Sequence, residues 1–423
     1  MTSQRASQSE MKTKPAEPAV SHHGLAALLA ALSAVGPFSI DAYLPSMRTI
    51  EHMLHVDPLT MQQTLTAYMI PFAGMTLWHG AISDALGRRR VILWGLALFA
   101  LASAACAFTR SIELLIFCRA LQGMTAGAGI VVGRAIVRDK FHGAEAQRVM
   151  SQITLTFALA PAIAPVLGGW LEVAFGWRSV FAFMAVFASS CWLLCRFILD
   201  ETLPMERRQP FSAPYLARSY ARVMSSRRFV ALSLATTLMF SGFFIYVTSA
   251  PVFLMRHLGV PETGFLWLFG PSTIGMATGA WLSGRVAGKV TPARTLVYAF
   301  AIMGSAATAN VIFHFVHGAM LPWSVVPLFF YVLGMSFAFP TLTLLALDIF
   351  PSQRGLAASC LSFVQMAGAA LNAVFAPMVW GSPRTLAMTS AVSLIAAALC
   401  AWMAGIPSEL SAGYPIEKAA EAA

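Results

Sequence analysis

Charge is what this chain has least of. Asp, Glu, Lys and Arg make up 11% of its 423 residues, whereas soluble domains carry about 25%. So few charges cannot coat a water-facing surface, and lipid is the expected solvent for most of the chain. Paired cysteines are missing as well. Cys106, Cys118, Cys191, Cys195, Cys360 and Cys400 form no Cys-x-x-Cys or zinc-type spacing. They read as small packing residues, with no disulfide framework or metal site. No nucleophile–base pair, His-Glu-x-x-His run or phosphate-binding loop occurs, so neither an enzyme nor a cofactor is expected. Basic–aromatic modules of the nucleic-acid-binding kind are absent too. Residues 1–23 are polar and show no signal-peptide pattern, so the first apolar run is expected to persist in the mature protein.

What the chain does have is apolar runs. Hydrophobic residues account for 58% of the sequence, in continuous stretches of about 20 residues, each long enough to cross the hydrocarbon core as a helix. A β-barrel would instead alternate over short strands. The expected fold is an all-α polytopic membrane protein of about twelve transmembrane helices in two six-helix bundles. The spans read as 25–45, 61–82, 91–109, 112–137, 149–171, 179–199, 229–254, 265–284, 294–316, 322–348, 356–379 and 384–405. The bundles occupy 25–199 and 229–405. The longest polar stretch, 200–228, joins them and carries Arg207, Arg208, Arg218, Arg222, Arg227 and Arg228 with Pro204, Pro210 and Pro214. It reads as a solvated linker.

Charge asymmetry sets the orientation. With the N-terminus in the cytosol, the inner segments hold Arg5, Lys12, Lys14, Arg88, Arg89, Arg90, Arg138, Lys140, Arg148, the linker arginines, Arg285, Lys289, Arg294, Arg354 and Lys418. The outer segments hold only Arg48, Arg110, Arg178, Arg256 and Arg384. The bias places both tails, 1–24 and 406–423, in the cytosol. It also accounts for the formal net charge of +10 without invoking nucleic acid.

A compact charge cluster interrupts the apolar pattern at "HGAISDALGRRR", His79 to Arg90. The arginines anchor a short inner turn and Gly87 permits it. Gly80 and Asp84 lie about one helical turn apart; Gly80 allows close helix approach, and a carboxylate at this depth wants a cation or a helix N-terminus. Gly80, Asp84, Gly87, Arg88 and Arg89 resemble the cytosolic loop motif of the major facilitator superfamily. A weaker copy, "GAWLSGRVAGK" from Gly279 to Lys289, lacks the acid and is consistent with two related halves.

Further stretches resemble the Bcr/CflA branch of that superfamily: "SIDAYLPSM" (39–47), "RALQG" (119–123), "RAIVRD" (134–139, with Arg134 and Asp139) and "ETLP" (201–204). That branch comprises drug–proton antiporters of bacterial inner membranes. "ALAPAIAPVLGGW" (158–170) resembles the antiporter motif, with Pro161, Pro165, Gly168 and Gly169 as its bending and close-packing residues, although Ala160 and Ala164 stand where the motif has glycine.

Two charges lie inside the apolar spans. Asp41 lies roughly 5 Å in from the outer end of span one and Arg119 roughly 11 Å in along span four. Intramembrane charge costs at least about 2.5–3.5 kcal/mol in insertion assays, so each needs a reason. Asp41 reads either as a proton-coupling carboxylate stabilised by Arg119 or as an interfacial cap. Arg119 reads either as its partner or as a bridge to carbonyls. Phe38, Tyr43, Tyr68, Phe157, Phe240, Phe244 and Tyr246, with Asn372, read either as an aromatic substrate cavity or as ordinary packing. His314 and His317 read as interfacial, and Asp348 as a cap or gate. Asp84 is expected to meet the N-terminal amides of span eleven, after "SQRG" (352–355), while Arg88 pairs with Asp139.

The resemblance implies proton-coupled efflux of lipophilic drugs by alternating access. Its expected partners are a small-molecule drug, protons and the lipid bilayer, and its working unit a monomer. A transporter of an endogenous metabolite is the second reading; a membrane receptor or enzyme is a third.

Overall fold

The computed structural model describes residues 22–405 except 142, 209–210 and 288. The expected tails, 1–24 and 406–423, therefore lie almost wholly outside the described residues. Helices follow in the order α1 (His22–Asp41), α2 (Met47–Leu54), α3 (Pro58–Leu86), α4 (Arg88–Phe108), α5 (Ile112–Lys140), α6 (Gly143–Phe175), α7 (Arg178–Ile198), α8 (Ala213–Met224), α9 (Arg227–Thr248), α10 (Leu266–Val286), α11 (Pro292–Val316), α12 (Val326–Leu347), α13 (Arg354–Phe375) and α14 (Pro383–Met403).

Twelve of these follow the expected spans. The other two, α2 and α8, are short helices in segments that the apolar pattern passes over, because each has only a narrow buried stripe: Met47 and Ile50 in α2 and Val223 in α8. Several helices begin where a polar side chain caps free backbone amides. The Asp57 carboxylate accepts from the Leu59 and Thr60 amides, starting α3 three residues earlier than expected. Ser111, Ser226, Thr291 and Ser382 cap α5, α9, α11 and α14 in the same way.

The helices form two six-helix bundles. In the first, α3 packs on α5, α4 on α7 and α1 on α6; in the second, α10 and α11 pack on α12 and α9 on α14. The bundles meet where α3 lies along α13 and where α6 meets α10 and the turn Glu262–Phe265. Among the described residues, nine helices are apolar and long enough to cross a membrane by composition. Of the remaining spans, α3 and α10 lie on this seam. A helix facing another protein surface need not be apolar all round, which explains why polar residues gather there. The α3–α4 turn, α8 and the α12–α13 turn share one end of the molecule, called here the linker side.

Candidate functional site

Arg119 sits at the centre of the first bundle, wholly buried on α5. Its Nη1 donates to the Ser39 carbonyl and the Ser39 hydroxyl, each at 3.1 Å, and to Gln122 Oε1 at 2.9 Å. Gln122 lies one turn further along α5 and in turn donates through Nε2 to the Ser103 hydroxyl at 2.6 Å. The guanidinium carbon stands 4.8 Å from the centre of the Tyr43 ring and 4.3 Å from that of Tyr68. Its Nε and Nη2 have no hydrogen-bond acceptor, so ring faces take the place of an anion there. Both rings are themselves fixed. Tyr43 shares a 2.6 Å hydrogen bond with the Thr64 hydroxyl, and Tyr68 donates to the Gly36 carbonyl at 3.1 Å.

Asp41 ends α1 and is 4% exposed. Its carboxylate has no ion pair or hydrogen bond among the described residues. The expected direct bridge to Arg119 is therefore not formed in this conformation. Arg119 spends its hydrogen bonds on Ser39 and Gln122, and Tyr68 lies within Coulombic reach of both charges. Of the two readings of Arg119, the bridge to a carbonyl is the one its contacts match.

The aromatic set divides. Tyr43 packs on Phe181 and Phe38 on Phe183 and Phe187, all within the first bundle. Tyr246 is fully enclosed in the second bundle against Phe253 and accepts from Asn310 Nδ2 at 2.7 Å. Tyr43, Tyr68 and Tyr246 are thus core groups in this conformation, because their hydroxyls find partners inside their own bundles. Phe240 stacks on Phe244 at 5.1 Å; Phe240 and Asn372 are half-buried, and the Asn372 Nδ2 has no partner. The side chain of Phe157 lies outside the described residues. His314, expected at an interface, is buried, its Nδ1 against the Asn310 carbonyl at 2.9 Å.

At the linker side Arg88 gathers the charged motif. Its Nη2 reaches Asp84 at 2.6 Å, its Nε reaches Asp139 at 3.2 Å and its Nη1 donates to Ser83 at 2.6 Å. The expected Arg88–Asp139 pair is present. Asp84, however, is held by Arg88 rather than by the amides of α13, whose first residue, Arg354, pairs with Asp348 at 2.6 Å. Gly87 turns the chain with φ +99°, a conformation that glycine adopts freely. Glu201, which the sequence offers only as part of a resemblance, accepts from the Arg88 amide at 2.8 Å, so it caps α4. Arg89 donates to the Arg196 carbonyl at 2.7 Å. Gly80 borders Val131 of α5. Arg134 stands apart from these ion pairs, and its side chain is exposed.

At the opposite side, α6 carries Pro161, Pro165, Gly168 and Gly169 in one continuous helix. A Cβ at Gly168 would collide with the Ala42 carbonyl just past the end of α1, and one at Gly169 with the Glu262 carbonyl of the other bundle. The glycine pair thus lets one helix touch backbone on both sides of the seam. Gln62 Nε2 closes the same end on the α3–α13 side by donating to the Ala373 carbonyl at 3.0 Å. Neither Gln62 nor Gln122 stands out in the sequence, since an amide in an apolar run carries no charge signal.

Residues 26–373 match the Major Facilitator Superfamily. The chain is 31% identical over 378 residues to the Uncharacterized MFS-type transporter YdgK of Bacillus subtilis (strain 168), an alignment covering 89% of this chain and 93% of that protein. It is 31% identical over 274 residues to the bicyclomycin resistance protein homolog of Haemophilus influenzae, covering 65% of this chain and 69% of the relative. Its backbone is similar, with a TM-score of 0.69, to a crystal structure of a bacterial homolog to the human lysosomal transporter Spinster in an inward-facing and occupied conformation. That likeness covers 91% of this chain and 96% of the other at 13% identity, and at such identity it concerns the fold alone.

Proposed function

The chain belongs to the major facilitator superfamily, and on that premise we propose that it expels lipophilic drugs from a bacterial cell in exchange for protons. It is a multi-pass membrane transporter, not an enzyme. In our reading it sits in the inner membrane as a monomer, with the linker side and both tails in the cytosol, as the excess of arginine there requires. The two bundles, 25–199 and 229–405, rock about a central path, and the seam contacts open on alternate sides.

The observation that carries the proton-coupled reading is Asp41, a carboxylate buried at the end of a spanning helix with no ion pair or hydrogen bond among the described residues to hold its charge. An uncompensated intramembrane charge is costly, and taking up a proton removes that cost. Protonation of Asp41 from outside then disfavours bound drug, and its release to the cytosol restores drug affinity. Arg119, fixed by Tyr43, Tyr68, Ser39 and Gln122, is proposed to be linked to Asp41 through Tyr68, the ring that lies near both charges. Phe240, Phe244 and Asn372 are proposed to line the drug path, where a stacked aromatic pair and a free amide suit varied apolar ligands. The named antibiotic-resistance relative supports a drug as cargo.

The test is efflux from proteoliposomes under an imposed pH gradient. Drug movement should follow the gradient, stop in Asp41→Asn and persist in part in Asp41→Glu, which keeps the carboxylate. Gradient-driven efflux by a well-inserted Asp41→Asn protein would overturn the assignment of Asp41. Flux indifferent to the gradient in the parent protein would favour a facilitator of a metabolite instead.

A further inference from the structure

The end of α6 carries a second acidic group that the site above does not use. Glu172 follows the Gly168–Gly169 contact by one helical turn and is 7% exposed. Its Oε1 accepts from the Thr49 hydroxyl of α2. Its Oε2 makes no hydrogen bond of ordinary geometry, although the buried Ser46 hydroxyl stands beside the carboxylate as a donor. Across the seam stands Glu262, the first residue of the turn that Gly169 touches, within Coulombic reach of Glu172. The two residues belong to different bundles, at the backbone contact of Gly169 with Glu262.

The surrounding charges do not neutralise this pair. On α2, Arg48 is exposed. On α7, Arg178 covers the Trp177 ring and donates to the Thr109 carbonyl. On α1, the neighbouring charge is another acid, Asp41, next to the Ala42 carbonyl that Gly168 meets. α10 begins with the apolar run Leu266–Gly270.

We propose that Glu172 is a proton-binding site whose occupancy governs closure of the seam on the side away from the linker. With a proton on Glu172 the charge on the α6 side of the contact is gone, and the backbones of α6 and Glu262 stay in contact. Without it, the buried carboxylate on α6 lies within Coulombic reach of the half-buried Glu262 of the other bundle, and like charges repel. The proton comes from the solution bathing that side and returns to it or passes inward; no bond other than O–H forms or breaks. The site is separate from Asp41 and holds whether or not Asp41 carries the transported proton.

The test uses the full-length protein in nanodiscs without drug. Native cysteines are replaced, and spin labels are placed at the exposed positions Leu114→Cys and Met378→Cys, on opposite bundles. The ratio of short to long interlabel distances should fall by roughly fivefold or more between about pH 5.5 and about pH 8.5. Glu172→Gln should hold the short distance throughout, and Glu262→Gln should flatten the dependence. An Asp41→Asn background should keep it, which separates this outcome from the Asp41 reading. A pH-insensitive parent, or a Glu172→Gln protein with the parent's profile, would overturn the proposal. If Glu172→Gln fails to insert, Glu262→Gln decides in its place, and an unchanged profile there overturns the proposal equally.

Discussion

The guanidinium carbon of Arg119 lies 4.3 Å from the centre of the Tyr68 ring, and the charge is carried by aromatic faces and oxygen dipoles instead of a carboxylate. A desolvated cation–π contact contributes about 2 kcal/mol, whereas the Tyr68 hydroxyl bond to Gly36 contributes about 1 kcal/mol. Tyr68→Leu should therefore destabilise the protein clearly more than Tyr68→Phe, which keeps the ring. Thermal unfolding in detergent measures the order. Equal losses would mean that the ring serves only as packing.

The approach of α3 to α5 rests on Gly123, where a Cβ would strike the Tyr68 backbone; Gly74 has open space around it. Overpacking against backbone costs about 1–3 kcal/mol. Gly123→Ala should lower the unfolding temperature and disturb the Arg119 site, while Gly74→Ala should leave both nearly unchanged. A harmless Gly123→Ala would show that the two helices can separate without loss.

Arg88 ties Asp84, whose side chain is 42% exposed, to Asp139, which is 24% exposed. Exposed ion pairs contribute at most about 1 kcal/mol, so Asp84→Asn should alter stability little. All three side chains belong to the first bundle, so opening of the linker side should change little as well. Crosslinking between cysteines at Leu86 and Gln353 reads this directly. A clear fall in crosslinking would show that Asp84 also holds the second bundle in another conformation.

Asp57 caps α3, and hydrogen bonds from the Thr60 hydroxyl, then from the Thr60 and Leu59 amides, hold its carboxyl below the usual range. A carboxyl lowered in the folded state stabilises above its unfolded value and loses that contribution as pH falls through the folded one. Asp57→Ala should thus melt earlier than the parent near neutral pH, and the gap should close in acid below the ordinary carboxylate range. A gap that stays constant with pH would place the effect elsewhere.

Sequence alone determined the membrane class, the twelve spans and the charged turn, because lipid forces long apolar runs and stacks arginines on one side regardless of tertiary detail. It also marked Asp41 and Arg119, since a charge in an apolar run is conspicuous at any depth. Tertiary structure decided what those charges meet. Depth along two helices made an Asp41–Arg119 bridge feasible, yet the rotation of α1 and α5 turns Arg119 onto Ser39, Gln122 and two tyrosine rings. The same holds for Glu172 and Glu262, ninety residues apart and brought into mutual reach by the meeting of the bundles. Period and hydropathy report which solvent a helix sees; which neighbour each face meets is set by how the helices pack.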